Sequence, residues 1–293
     1  MFSGSLVAII TPMLLDGQVD YVSLKKLLDY QVDNGTDGLI IMGTTGEAAT
    51  IPFAEQLQIM QFVIDHVQGK VKVIAGNGSN STAEAIEKTR QLSALAIDGF
   101  LTVTPYYNKP TQAGMLAHFK AIAAATDKPI LLYNVPGRTG VDLQSATVAL
   151  LSTISNIVGI KEATGSLTRL AELQAVCPAD FELLSGDDAS ACEFLLQGGH
   201  GVISVTTNVA PLLMSQMIKA ARAGDAESAK SFDQHLQALH RDLFIESNPI
   251  PAKWALMRLG LIESDFARLP LTQLEPIHQS VIEHALHQAN LKF

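Results

Sequence analysis

Eight short runs of apolar, largely β-branched residues recur along the first two thirds of the chain, at intervals of roughly 20 to 33 residues. They are Leu6 to Ile10, Leu39 to Met42, Val71 to Ala75, Phe100 to Val103, Ile130 to Tyr133, Ile157 to Lys161, Phe181 to Leu184 and Val202 to Val205. Each is followed closely by Gly, Thr, Asn, Asp or Pro and then by a longer amphipathic stretch. Strands apolar throughout are those buried on both faces, as in a parallel sheet covered by helices. The intervening stretches read as helices: Ile59, Phe62, Val63 and His66 fall at helical spacing, and Pro52 stands where a first turn tolerates it. Eight strand–helix units predict an α/β fold, a closed (β/α)8 TIM barrel spanning residues 1–208. From about Pro211 the pattern is helical only, punctuated by Gly224, Pro249, Pro251 and Gly260, which predicts a C-terminal helical appendage over residues 209–293.

Composition limits what such a barrel can meet. Of 293 residues, 20 are Lys or Arg and 29 are Asp or Glu, a net charge of −9. That balance argues against nucleic acid or an anionic membrane surface as a partner, since both need a basic footprint. No apolar run reaches the roughly 18 residues of a membrane span, and the first cation is Lys25, so no basic leader segment is expected. The chain reads as cytoplasmic. Cys177 and Cys192 lack ligand-like spacing, as befits unpaired thiols in a reducing compartment. With only 17% charged residues, subunit contacts are expected to cover part of the surface.

A barrel of this kind carries its active site on the loops at the C-terminal ends of the strands. Lys161 closes the sixth run, and Gly159, two residues earlier on the same face, is expected to leave room for its side chain in the barrel mouth. A desolvated lysine there has its ammonium form disfavoured, and the free amine can form a Schiff base with a ketone. The plainer alternative is a strand-ending lysine paired with Glu162. Tyr133 closes the fifth run, either as a proton relay or as a core tyrosine capping the barrel. Tyr106 and Tyr107 stand between Pro105 and Pro110 in a stiffened loop, from which one ring could cross a subunit boundary. Gly43-Thr44-Thr45-Gly46-Glu47 offers N–H groups and hydroxyls suited to a small carboxylate, or else a capping box starting a helix. Arg138, within Pro136-Gly137-Arg138-Thr139-Gly140, is either a carboxylate ligand or a solvated loop arginine. Gly76-Asn77-Gly78-Ser79-Asn80-Ser81 imitates a dinucleotide fingerprint but lacks its third glycine. The eight histidines give no metal site, and no cofactor is expected. Thr206 to Pro211 lacks the glycines of a phosphate clamp, which disfavours a phosphorylated substrate.

In order and spacing, five motifs resemble those of the dihydrodipicolinate synthase branch of the pyruvate-dependent class I lyases. They are Gly43-Thr44-Thr45-Gly46-Glu47, Tyr133 to Gly140, Gly159-Ile160-Lys161-Glu162, Ser185-Gly186-Asp187-Asp188 and Gly201 to Val205. Asn248 to Lys253 in the tail is a further match, and the resemblance covers nearly the whole chain. It implies that Lys161 forms an imine with pyruvate and that the derived enamine attacks L-aspartate 4-semialdehyde, in diaminopimelate and lysine biosynthesis. It assigns Tyr133, Thr44 and Tyr107 to a proton relay, Tyr107 entering from a neighbouring subunit. Thr45 would hold the pyruvate carboxylate, Arg138 that of the semialdehyde, and the backbone at Gly186 and Ile203 would line the pyruvate pocket. A homotetramer of two tight dimers is implied.

Regulated members of the family bind lysine near the subunit interface, and Ala49, Asn80, Glu84 and Tyr106 match that site. Where those members carry Ser, His and His, this chain has Ala48, Phe53 and Gln56, so weak or absent lysine feedback is expected. The competing functions are a sialic acid or 2-keto-3-deoxy sugar acid lyase of the same superfamily, a non-catalytic carboxylate-binding barrel, and a nicotinamide oxidoreductase. Arg138 favours the synthase, because sialic acid lyases usually lack an arginine there.

Overall fold

A computed structural model, describing residues 1–292, contains a closed barrel of eight parallel strands in sequence order. The strands are β1 (Gly4–Ala8), β2 (Gly38–Ile41), β3 (Lys72–Gly76), β4 (Gly99–Val103), β5 (Ile130–Asn134), β6 (Ile157–Glu162), β7 (Glu182–Ser185) and β8 (Gly201–Ser204). Closure comes from β1 pairing with β8, where Gly4 stands opposite Gly201 and Leu6 opposite Ile203. The first run is shifted relative to expectation: β1 starts at Gly4 and ends at Ala8, because Ile9 and Ile10, although buried, belong to the connection that follows.

Alternation along the strands divides the apolar residues between two cores. Leu6, Ile40, Ile74, Leu101, Leu131, Leu184 and Ile203 fill the barrel interior. Their neighbours Val7, Leu39, Val73, Phe100, Leu132, Leu183 and Val202 face outward into the layer beneath the helices. Both faces are thus apolar, which is why each strand reads as an unbroken apolar run.

The helices are α1 (Tyr21–Asp33), α2 (Phe53–Val67), α3 (Thr82–Ser93), α4 (Gln112–Ala123), α5 (Pro136–Thr139), α6 (Ser145–Leu151), α7 (Leu167–Val176) and α8 (Ala191–Leu196), followed by α9 (Pro211–Arg222), α10 (Ala226–Asp242), α11 (Ile250–Arg258) and α12 (Pro276–Gln288). Side-chain oxygens of Asp20, Ser81, Thr111, Ser166 and Asp225 accept first-turn N–H bonds and fix where α1, α3, α4, α7 and α10 begin. In α2, Ile59 and Val63 are buried as the period requires, while Pro52 sits just ahead of the first turn. After β8, α9 packs on β1 and α8, α10 packs across α9, and α11 lies against α12 and the turn Thr206–Asn208. Among the described residues no helix is long and apolar enough to cross a membrane.

Candidate active site

Lys161 is the penultimate residue of β6. Its predecessor Ile160 lies in the outer core, so alternation sends Lys161 into the barrel. It stands in register with Tyr133 of β5 and Leu184 of β7, both part of the interior. The side chain is 6% exposed, and its Nζ lies 4.4 Å from the centroid of the Tyr133 ring. Gly186, after β7, makes this position possible: a Cβ there would meet Lys161 Cε at 2.8 Å and Cγ at 3.0 Å. The room expected from Gly159 serves another purpose, since a Cβ on that residue would meet the Glu182 carbonyl at 2.4 Å and Leu131 Cδ2 at 2.9 Å. Gly159 therefore allows close strand approach, and Gly186 accommodates the lysine.

Glu162 is turned the other way and does not pair with Lys161. Its oxygens accept from Asn134 Nδ2 at 3.0 Å and the Thr164 N–H at 2.8 Å, with Arg169 at 3.6 Å. Burial raises its carboxyl above the ordinary value against these bonds. Among the described residues Lys161 has no ion pair. A lysine packed on an aromatic face, buried and without a carboxylate partner, is a nucleophile candidate rather than a structural ion.

The Gly43 to Glu47 segment is a series of turns, and the helix that follows starts only at Phe53. The capping-box alternative fails for this reason. Glu47 does not reach back to its own turn; its carboxylate forms an ion pair with Lys253 of α11 and accepts from the Arg268 N–H at 3.1 Å. Both ion-pair side chains are fully buried, and burial pushes the Lys253 ammonium below its ordinary value against the opposing pull of Glu47. Met42 and Glu47 adopt left-handed backbone, with φ of 59° and 58°. Thr45 is buried and its Oγ1 accepts from Asn248 Nδ2 at 2.9 Å, whereas Thr44 is exposed. The Asn248 carbonyl accepts in turn from Arg138 Nη2 at 3.4 Å.

A cavity of ≈ 510 Å³ reaches Tyr133 and the Gly43–Thr44 turn, but Lys161, Thr45, Gly186 and Ile203 are not among the residues lining it. Tyr133, Thr44 and Arg138 line it together with Ala49, Glu84 and Tyr106. Ile203 is buried in the barrel interior on β8. Tyr107 is not brought into the cavity by its own chain: it is 90% exposed with φ of 73°. Asn80 is half-buried, and its carbonyl accepts from Asn108 Nδ2. Glu84 is bonded to Lys88 at 3.0 Å and to Ser79 at 2.8 Å, the Lys88 bond chiefly holding its carboxyl below the ordinary value. Gln56 spends its amide on the carbonyls of Ala48 and Ile51.

Two other expected features have definite structural roles. The Asn77 side chain bridges Thr89 and Thr102, and Gly76 and Gly78 are close approaches to Met42 and Val103, so the glycine run is a packing device. After β8, the N–H groups of Val205 and Thr206 are taken by Asp188 Oδ2 at 3.0 and 2.9 Å.

The model of the dihydrodipicolinate synthetase family matches residues 1–289. The chain belongs to that family. It is 54% identical over 291 residues to a 4-hydroxy-tetrahydrodipicolinate synthase from Pseudoalteromonas atlantica, covering 99% of each chain. Among solved structures, it is similar to a chloride-inhibited dihydrodipicolinate synthase from Acinetobacter baumannii complexed with pyruvate (TM-score 0.97, 47% identity, 100% of both chains). It is also similar to a lysine-bound enzyme from Cyanidioschyzon merolae (TM-score 0.96, 41% identity, 99% of both chains). As a member of this family the chain is a lyase.

Asn248, Lys253, Glu47 and Arg169 carry structural weight at the site through partners that no local pattern supplies. The motifs Gly43 to Glu47 and Asn248 to Lys253 are the available signals, and neither gives a partner for its residues.

Proposed function

We propose that the chain condenses pyruvate with L-aspartate 4-semialdehyde to 4-hydroxy-tetrahydrodipicolinate, with Lys161 as the nucleophile. The observation that carries this reading is the Lys161 amine, buried over the Tyr133 ring and without a carboxylate partner. The amine adds to the pyruvate keto carbon and water leaves, forming an imine. Loss of a methyl proton gives the enamine, whose carbon attacks the aldehyde of the second substrate. The amino group of that substrate then closes onto the imine carbon, and the carbon–nitrogen bond to Lys161 breaks. The ring is released with the lysine restored.

Each step moves a proton, and Tyr133, with Thr44 and Tyr107, is assigned to that work. Tyr107 does so from a second copy, a reading supported by its exposure and by its absence from the lining of its own chain's cavity. Thr45 holds the pyruvate carboxylate, the backbone at Gly186 and Ile203 lines the pyruvate pocket, and Arg138 meets the carboxylate of the semialdehyde. We assign the enzyme to the cytoplasm as a homotetramer built from two dimers. Residues 1–208 form the catalytic unit, and residues 209–293 form a helical region that supplies Asn248 and Lys253 to it. Ala49, Asn80, Glu84 and Tyr106 correspond to the effector site of regulated relatives, here with Glu84 already neutralised by Lys88.

A panel of aldehydes tests the substrate assignment. Turnover is expected with the semialdehyde and not with N-acetylmannosamine or other sugar aldehydes, and Arg138→Ala is expected to lower kcat/KM for the semialdehyde while still forming the pyruvate imine. Preference for a sugar aldehyde, or an unchanged kcat/KM in that variant, contradicts it.

A further inference from the structure

We infer that Asn248 is a positioning residue that sets the direction of the Thr45 hydroxyl, and thereby the affinity for the carboxylate of the keto acid. The inference rests on the reading of Thr45 given above.

A hydroxyl has one hydrogen to donate and two lone pairs to accept with. Thr45 Oγ1 accepts from Asn248 Nδ2 at 2.9 Å, which commits one lone pair to the protein. Among the described residues the Thr45 O–H has no acceptor of its own, so its hydrogen is available to an incoming anion. Both residues are buried, Thr45 2% exposed and Asn248 6%, so water competes little for either group. A donor held in this direction before substrate arrives needs no reorientation when the carboxylate binds.

The Asn248 amide is satisfied on one side only. Its Nδ2 is bonded, while its Oδ1 is buried without a partner. A side chain retained for folding alone is expected to have both atoms paired. Its backbone is independently tied down: the carbonyl accepts from Arg138, and five residues on, Lys253 forms the buried ion pair with Glu47. Two segments more than 200 residues apart are thus joined twice, by Asn248 to Thr45 and by Lys253 to Glu47.

Because the Arg138 contact is made by the backbone carbonyl, changing the Asn248 side chain separates the two substrates. The experiment measures both KM values in the full enzyme for Asn248→Ala and Asn248→Asp, each in the parent and in the Thr45→Val background. Asn248→Ala is expected to raise the pyruvate KM about tenfold, the effect of losing orientation of one bond to a charged group. Asn248→Asp should raise it further, since a carboxylate accepts from Thr45 and draws the hydroxyl hydrogen away. The semialdehyde KM should stay within about twofold of the parent, and the effect of Asn248→Ala should vanish once Thr45 is Val.

An unchanged pyruvate KM, a parallel rise in both KM values, or an undiminished effect in the Thr45→Val background overturns the inference. If neither Asn248 variant folds, Asn248→Ser takes their place: a raised pyruvate KM with the semialdehyde KM unchanged supports the inference, and an unchanged pyruvate KM overturns it. A Thr45→Val enzyme with the parent's pyruvate KM, or a parent enzyme that is not trapped by pyruvate and borohydride, removes the underlying reading instead, which distinguishes the two failures.

Discussion

The site is made of two regions built by different means. The β5–β6 edge directs Tyr133 and Lys161 through sheet register and alternation, with Gly186 leaving room for the lysine: once β5 and β6 pair, the two side chains point into the barrel side by side. The Gly43 to Glu47 loop has no such scaffold. It turns through left-handed residues at Met42 and Glu47 and is held by Asn248, Lys253 and Arg268, all more than 200 residues away. A nucleophile can be placed by repeating geometry, whereas a carboxylate pocket of backbone and hydroxyl groups needs long-range polar ties.

The contrast is broken most severely at the buried ion pair. Lys253→Met leaves Glu47 buried without its partner, a loss of about 3–5 kcal/mol in unfolding free energy, and should abolish turnover. Adding Glu47→Gln should recover much of that stability but little activity, because the loop tie is still missing. Chemical denaturation and steady-state assays separate these outcomes, and full activity in the double variant would show that the loop holds itself.

On the strand side, Gly186→Ala directs a methyl group at Lys161 Cε and Ala163 Cβ, both 2.8 Å from the new atom. The flexible lysine is the part that yields. Overpacking should cost about 1–3 kcal/mol, with kcat reduced tenfold or more, about 1.4 kcal/mol in the barrier. Near-parental kcat would mean that the amine does not depend on this space.

Acidification should distinguish the regions next. The Arg268 guanidinium holds the Glu55 carboxyl below its ordinary value of 4.5, chiefly through their hydrogen bonds. A carboxyl lowered in the folded state stabilises above the unfolded value, and that contribution is lost as pH falls through the folded one. Arg268 also donates its N–H to Glu47, so hydrogen-exchange protection at residues 43–51, corrected for the pH dependence of the chemical exchange rate, should fall in acid before protection in β5 and β6 does. Simultaneous loosening of both would remove the distinction.

The smallest change is expected from L-lysine. With Glu84 paired to Lys88 and the Gln56 amide bonded to the backbone, an effector ammonium finds its anion already neutralised. A coupled assay should register little inhibition, and strong inhibition at submillimolar lysine would contradict this reading.

The same division governs what could be read from the chain before its structure. All eight strands were visible, because burial on both faces gives each an unbroken apolar run. Their C-terminal ends pointed to Lys161 and Tyr133 directly. The role given to Gly159 was wrong because the neighbour across the sheet, Glu182, and the inward Leu131 occupy that space; sequence separation hides both. Thr44-x-x-Glu47 has the spacing of a helix cap, yet Glu47 bonds to a lysine 206 positions later, a pairing no local rule contains. Asn248 likewise gains its meaning only from Thr45.

Trapping of pyruvate by borohydride, read by mass spectrometry on intact and digested protein, most directly tests whether strand register delivers a reactive amine. The parent should gain one reduced pyruvate-derived adduct per chain, on the peptide containing Lys161, and Lys161→Ala should gain none. An unlabelled parent, or full labelling of Lys161→Ala, would contradict the assignment of Lys161 as the nucleophile.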